Sequence, residues 1–127
     1  MFLDTSIIVE LMRGEDEELI GKIMSHIENE LIFISMVQLG EVNDWCLANC
    51  SNPEARISQL REIVHLIPVN ETICIRASEI KHEMRLKKIP KFSLIDGLIL
   101  ASARHIDQKL LTLDSDFRKA KDAICIQ

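Results

Sequence analysis

A three-layer α/β/α sandwich around a central parallel sheet is the fold class this sequence predicts, and three observations predict it. Short apolar runs of strand length recur along the chain, stretches with apolar residues three and four apart lie between them, and turn residues mark the boundaries. Near-continuous apolar strands alternating with amphipathic helices are the pattern of a parallel sheet covered on both faces, because parallel strands need crossover connections.

In order along the chain, MFLD is the first strand, and Arg13-Gly14 ends the helix that follows it. Leu19, Ile20, Ile23, Met24 and Ile27 form the stripe of a second helix. LIFIS (31–35) is the second strand, and the helix after it places Val37, Glu41, Trp45 and Ala48 on one face. Ser51-Asn52-Pro53 separates that helix from the next, with Pro53 at a favoured first position and Ile57, Leu60 and Val64 as its stripe. LIPV (66–69) is a third strand, and Ile73, Ala77, Ile80 and Met84 mark another helix. Ile89-Pro90-Lys91 interrupts the chain before Ser93, which opens a helix that takes Leu98, Ile99 and Ala103 into the core. KLLTLD (109–114) and AICIQ (123–127) complete the strands, with a short helix expected over FRKAKD between them.

The chain has 127 residues, 47% of them hydrophobic, which is one domain over 1–127 with enough apolar surface for a core. A net charge of -5 argues against a protein that coats nucleic acid or anionic lipid by bulk electrostatics, so any nucleic-acid contact must be focused. No apolar run approaches a membrane span of ~18 residues and MFLDTSIIVE carries no basic leader, so the expectation is a soluble, cytoplasmic protein. Cys46, Cys50, Cys74 and Cys125 read as reduced thiols, the last two as small buried hydrophobes within ICI runs. The histidines, His26, His65, His82 and His105, are scattered singly and read as surface residues.

In an open parallel sheet, ligands bind beyond the carboxyl ends of the strands, so the acids that matter close a strand or open the next helix. Asp4 closes the first strand in FLDTS; Asp114 closes a later one in LLTLDSDF, with Asp116 two residues on. Glu41 lies about a turn and a half into the helix after LIFIS, and Asp96 lies in the first turn of the helix opened by Ser93. Each has a plainer role open to it. Asp4, Asp114 or Asp116 could cap a helix, and Ser93 to Asp96 fits the S-x-x-D of a capping box. Glu41 has no capping role, and Gly40 beside it gives up about 1 kcal/mol of helix propensity relative to Ala, which predicts a close approach there. Together, four carboxylates at one edge would raise one another's pKa values unless a cation sat among them. Oxygen ligands without Cys or His select magnesium or manganese, and phosphodiester hydrolysis by a metal-activated water is the chemistry such a pocket serves.

Four segments in order, FLDTSIIVE, SMVQLGEV, SLIDGLILASA and LLTLDSDF, resemble the PIN-domain family, most closely its small stand-alone members, the VapC-type toxins of prokaryotic toxin–antitoxin systems. The resemblance implies the α/β/α fold and Mg²⁺- or Mn²⁺-dependent endoribonuclease activity leaving a 5′-phosphate and a 3′-hydroxyl. It also implies that Asp4, Glu41, Asp96 and Asp114, with Asp116 beside it, are the metal-holding acids, and that the Ser6 and Thr112 hydroxyls orient a carboxylate. A homodimer, a small antitoxin in the cleft and a single-stranded or looped RNA substrate complete what it implies. Two other readings stand beside a toxin: a PIN-fold module that binds metal, RNA or protein without turnover, and a housekeeping RNA-processing nuclease. Phosphatase and phosphoreceiver readings are weak, because position 6 is Ser where a phosphatase of the haloacid-dehalogenase type wants a second Asp. Arg85, Lys87, Lys88 and Lys91 gather just ahead of Asp96; either they form a solvated face or Lys87, Lys88 and Lys91 contact RNA.

Overall fold

The computed structural model describes residues 1–126, and Gln127, the end of the AICIQ run, lies outside them. Strands β1 (Phe2–Leu3), β2 (Phe33–Ser35), β3 (His65–Ile67), β4 (Leu110–Thr112) and β5 (Ala123–Cys125) form one all-parallel sheet in the order β3-β2-β1-β4-β5. Each strand is shorter than the apolar run that announced it, yet alternation still sorts its side chains. Phe2 and Leu110 enter one core cluster while their neighbours Leu3 and Leu111 enter the other, as the two-residue period of a strand requires.

Helices α1 (Thr5–Arg13), α2 (Glu17–Ile27), α3 (Met36–Asn49) and α4 (Pro53–Ile63) supply the core on one face through Ile7, Ile23, Val42, Cys46 and Leu60. Helices α5 (Glu71–Leu86) and α6 (Leu94–His105) supply the other through Ile73, Ala77, Ile80, Met84, Ile99 and Leu100. The sheet therefore has helices on both sides. The order also shows where the chain reverses: it leaves the centre through β2 and β3, then returns to lay β4 against the other side of β1. In such sheets the crevice outside the carboxyl ends at that reversal is where ligands bind.

Three expectations need correction. FRKAKD is not a helix: only Ser115–Phe117 forms a single 3₁₀ turn, because so short a segment cannot sustain an α-helix and its apolar members, Phe117 and Ala120, are drawn into the core. Cys74 is exposed rather than buried, since the ICI run lies in α5 and only Ile73 falls on the inward stripe with Ala77, Ile80 and Met84. Finally, nothing lies within 4 Å of a Cβ added at Gly40, so the expected close approach is absent there. It occurs instead at Gly97, where an added Cβ would drive into the carbonyl oxygen of Ala77 on α5. Gly97 thus sets how closely α6 lies on α5, one residue after Asp96.

The connection from α5 to α6 is equally fixed. The N–H of Ile89 donates to the Met84 carbonyl and that of Lys88 to the Arg85 carbonyl, both at 3.1 Å, with Lys88 in the left-handed region at φ 67°. This is a Schellman motif, in which Ile89 and Met84 meet in the core. Phe92 then packs edge-on to Phe117 with ring centroids 5.3 Å apart, both fully buried, locking the connection to the 3₁₀ turn.

These packing differences separate two glycine substitutions. Gly97→Ala is expected to cost about 1–3 kcal/mol or more, because the obstacle is backbone; Gly40→Ala, in open space within a helix, is expected to stabilise by about 0.5–1 kcal/mol. Urea unfolding of the two variants measures both, and equal effects would show that α5 and α6 do not meet at Gly97.

Candidate active site

Asp4 follows β1 directly and is buried. Its Oδ2 accepts from Thr112 Oγ1 at 2.7 Å and from Ser6 Oγ at 2.8 Å. Each hydroxyl in turn accepts a backbone N–H from the chain leaving β4: Asp114 N–H donates to Thr112 at 2.9 Å, and Leu113 N–H to Ser6 at 3.1 Å. Both hydroxyl protons are therefore directed at Asp4. The residues just past β1 and β4 are tied together by one carboxylate oxygen.

Asp96 is the third residue of α6, and its Oδ2 accepts from the Ser93 N–H at 2.9 Å while Ser93 Oγ accepts from the Asp96 N–H at 3.1 Å. The capping box is real, and it occupies only one oxygen of Asp96. Asp114 behaves likewise, capping the 3₁₀ turn by accepting the Asp116 N–H on Oδ1 at 2.9 Å. Capping and a role at the site are thus compatible, since each carboxylate keeps its second oxygen for another partner.

Glu41 is placed by two residues the sequence reading passed over. Gln38 is fully buried; its Oε1 accepts the Ser35 N–H at 2.7 Å, and its Nε2 donates to the Leu3 carbonyl at 2.8 Å and to Thr5 Oγ1 at 3.3 Å. Thr5 Oγ1 then donates to Glu41 Oε1 at 2.8 Å. The signal for Gln38 was present as the S-x-x-Q of a capping box at Ser35, which α3 forms. What local pattern could not show is that the same amide reaches back to β1.

Burial pushes the carboxyl pKa values of Asp4, Glu41 and Asp96 above their ordinary range, and hydrogen bonds from Thr112 and Ser6, from Thr5 and from Ser93 respectively offset part of it. The charges that push them further up are one another's: Asp114 on Asp4, Asp4 and Asp96 on Glu41, Asp114 and Asp4 on Asp96, with Asp44 also acting on Glu41. Among the described residues, no lysine or arginine counters the rise. Four of the sequence-derived acids, Asp4, Glu41, Asp96 and Asp114, are thus electrostatically one group at the β1/β4 reversal.

Asp116 stands apart, lining a hollow with Lys88 and Lys91. Lys87 does not line it, but its carbonyl accepts from Lys119 Nζ at 2.5 Å.

An all-oxygen, anionic donor set without balancing cations fits a hard divalent ion. Among the described residues no three His, Cys, Asp or Glu side chains already close into a ligand cluster.

A family model, described as PIN domain, matches residues 1–123. The chain belongs to the PIN domain family. A search of curated proteins returned no match. Among solved structures, this PIN domain is similar to a chain of a toxin–antitoxin complex from Klebsiella pneumoniae (TM-score 0.77, 21% identity, 97% of this chain and 94% of that one). It is similar as well to VapBC2 from Rickettsia felis bound to a promoter DNA fragment (0.76, 17%, 98% and 96%). A third is VapC20 of Mycobacterium tuberculosis, described as a sarcin-ricin loop cleaving toxin (0.73, 22%, 94% of each chain). The expected α/β/α fold and PIN family are what these comparisons show.

The electrostatics set a pH dependence. Groups whose folded pKa lies above the unfolded value bind more protons in the folded state, so the metal-free PIN domain is expected to lose stability as pH rises from about 4 through the raised pKa values of Asp4, Glu41 and Asp96. Asp4→Asn and Asp96→Asn, which keep a hydrogen-bond acceptor but remove charge, are expected to raise the neutral-pH melting temperature and flatten this slope. Thermal melts in EDTA across pH 4 to 8 check both, and a wild-type slope in both variants would show that Asp4 and Asp96 are not the groups that set it.

Proposed function

We propose that this PIN domain is an Mg²⁺- or Mn²⁺-dependent endoribonuclease of the toxin type. The observation that carries the reading is the set of four carboxylates at the sheet reversal whose only mutual electrostatic influence is repulsion. Such a set costs stability, and a bound divalent ion is what offsets that cost. Support for RNA as substrate comes from VapC20, a cleaving toxin of the same fold. Support for an antitoxin partner comes from the toxin–antitoxin complexes of similar fold. Homodimer assembly and a single-stranded or looped RNA substrate, which can enter a cleft closed to a duplex, belong to the same proposal.

Asp4, Glu41, Asp96 and Asp114 would hold the ion, directly or through water. When bound, the ion supplies charge neutralisation for the scissile phosphate and acidifies the attacking water. The chain itself supplies orientation. Ser6 and Thr112 hold Asp4 in one rotamer, and with their protons given to Asp4 and their oxygens accepting backbone N–H groups they are spent as nucleophiles. Thr5, held by Gln38, orients Glu41 in the same way. Hydrolysis thus proceeds without a covalent enzyme intermediate, giving a 5′-phosphate and a 3′-hydroxyl.

Purified protein incubated with mixed RNA and Mg²⁺ or Mn²⁺ is expected to cleave, and EDTA to stop it. Asp4→Asn and Asp96→Asn are expected to reduce cleavage at least 100-fold, on the order of losing a ligand-holding group at a metal site. Asp116→Asn is expected to lose less than Asp114→Asn, and equal losses would mean that the two share the work. Wild-type cleavage by the Asp4 and Asp96 variants would place the activity elsewhere.

A further inference from the structure

The acids account for the reaction but not for how RNA approaches them. A chain of net charge -5 with uncompensated carboxylates at its working edge repels a polyanion, so attraction has to be local. Of its 15 lysines and arginines, Lys87, Lys88, Lys91, Arg118 and Lys119 belong to two short segments far apart in sequence. The structure brings these segments together. The connection from α5 to α6 and the segment from Ser115 to Lys119 enclose an open hollow of about 280 Å³, lined by Lys88, Pro90, Lys91, Asp116, Arg118 and Lys119 among others.

Three features make the hollow more than a solvated charge run. Its walls are rigid, because the Schellman motif fixes one segment, the buried Phe92–Phe117 contact joins it to the other, and Lys119 Nζ reaches the Lys87 carbonyl. Its cations are free of ion pairs, since among the described residues none of Lys88, Lys91, Arg118 and Lys119 forms one, although Asp116 shares the lining and Lys119 Nζ already donates to a carbonyl. Its place is next to the acids on both sides. Lys91 lies two residues before Ser93, the partner of Asp96, and the N–H of Asp116, on the rim, donates to Asp114.

Lys88 adds an independent sign. It occupies the left-handed position that closes a Schellman motif, where glycine is the residue free of strain and any side chain is disfavoured. A lysine there sets a cation at the mouth of the hollow in a conformation its backbone disfavours.

We propose that this hollow is a phosphate-backbone subsite in which Lys88, Lys91, Arg118 and Lys119 hold the RNA strand beside the scissile bond. The proposal rests on the ribonuclease reading and names its substrate path; Lys87 lies outside the lining, and its carbonyl accepts from Lys119. Contacts of this kind are sequence-independent and salt-sensitive.

The test measures binding apart from cleavage. Fluorescence anisotropy of a labelled mixed-sequence single-stranded RNA, in EDTA and over a range of salt concentrations, is compared for wild type, Lys88→Gly, Lys91→Ala and the double variant. Each lost phosphate contact is expected to lower the log–log salt slope by about 0.7, which is about five-fold in affinity at 0.1 M salt, and the double variant to lose both contacts. Lys88→Gly relieves the left-handed backbone, so it is expected to melt no lower than wild type, and weaker binding by it cannot be assigned to unfolding. Lys109→Ala, ahead of β4 at the opposite edge of the sheet, is expected to bind as wild type. Wild-type affinity and slope in the double variant, with metal-dependent cleavage by the unmodified protein intact, would overturn the subsite alone and make these cations a solvated surface. If the unmodified protein neither binds RNA in EDTA nor cleaves it with Mn²⁺, the ribonuclease reading fails and the subsite fails with it.

Discussion

Like charge held at close quarters without a balancing cation is the constraint around which this fold is arranged. The charges of Asp4, Asp96 and Asp114 raise the proton affinity of Asp4, Glu41 and Asp96, yet all four acids are held by neutral donors: hydroxyls of Ser6, Thr112 and Thr5, and backbone N–H groups of Ser93 and Asp116. A neutral donor orients a carboxylate without quenching its charge; a lysine in the same place would do both. The cations sit in the neighbouring hollow instead. Separating the two functions keeps the anionic field available to a divalent ion while a positive field lies alongside for a phosphate chain.

The constraint extends into the core. Gln38 joins the end of β1 to the start of α3 with both its amide donors and its carbonyl oxygen, a polar group that can be buried because each of its polar atoms has a partner. Gly97 lets α6 descend onto the Ala77 carbonyl, which fixes the level of Asp96 relative to the sheet. Neither residue bears charge. Both determine where charge is held.

Much of this was legible in the sequence. Five apolar runs gave five strands, and stripes at three- and four-residue spacing gave the helices, because burial on both sheet faces leaves a local signature. The acids stood out as polar residues at strand ends and in first helical turns. Their adjacency was less local: that β4 lies against β1, so that Asp114 neighbours Asp4, follows from strand order, which no single segment encodes. Gly40 and Gly97 look alike in sequence, and only the packing of α6 on α5 distinguishes open space from backbone contact. FRKAKD has a helical composition, but two of its residues are claimed by the core before a second turn can form. Cys74 misled for a related reason: its apolar neighbours suggested burial, whereas the helix turns only Ile73 of that triplet inward.

The contact between Phe92 and Phe117 joins two stretches of chain that each end in a site acid: Phe92 leads into Ser93 and the helix of Asp96, and Phe117 closes the turn capped by Asp114. Two rings are therefore a common mounting for acids that come from separate segments of the chain. A mounting of this kind makes alignment collective. A shift of either ring carries one acid away from the other, so loss of alignment and loss of local stability are the same event, and the geometry at the edge is only as durable as an apolar contact that touches none of the chemistry.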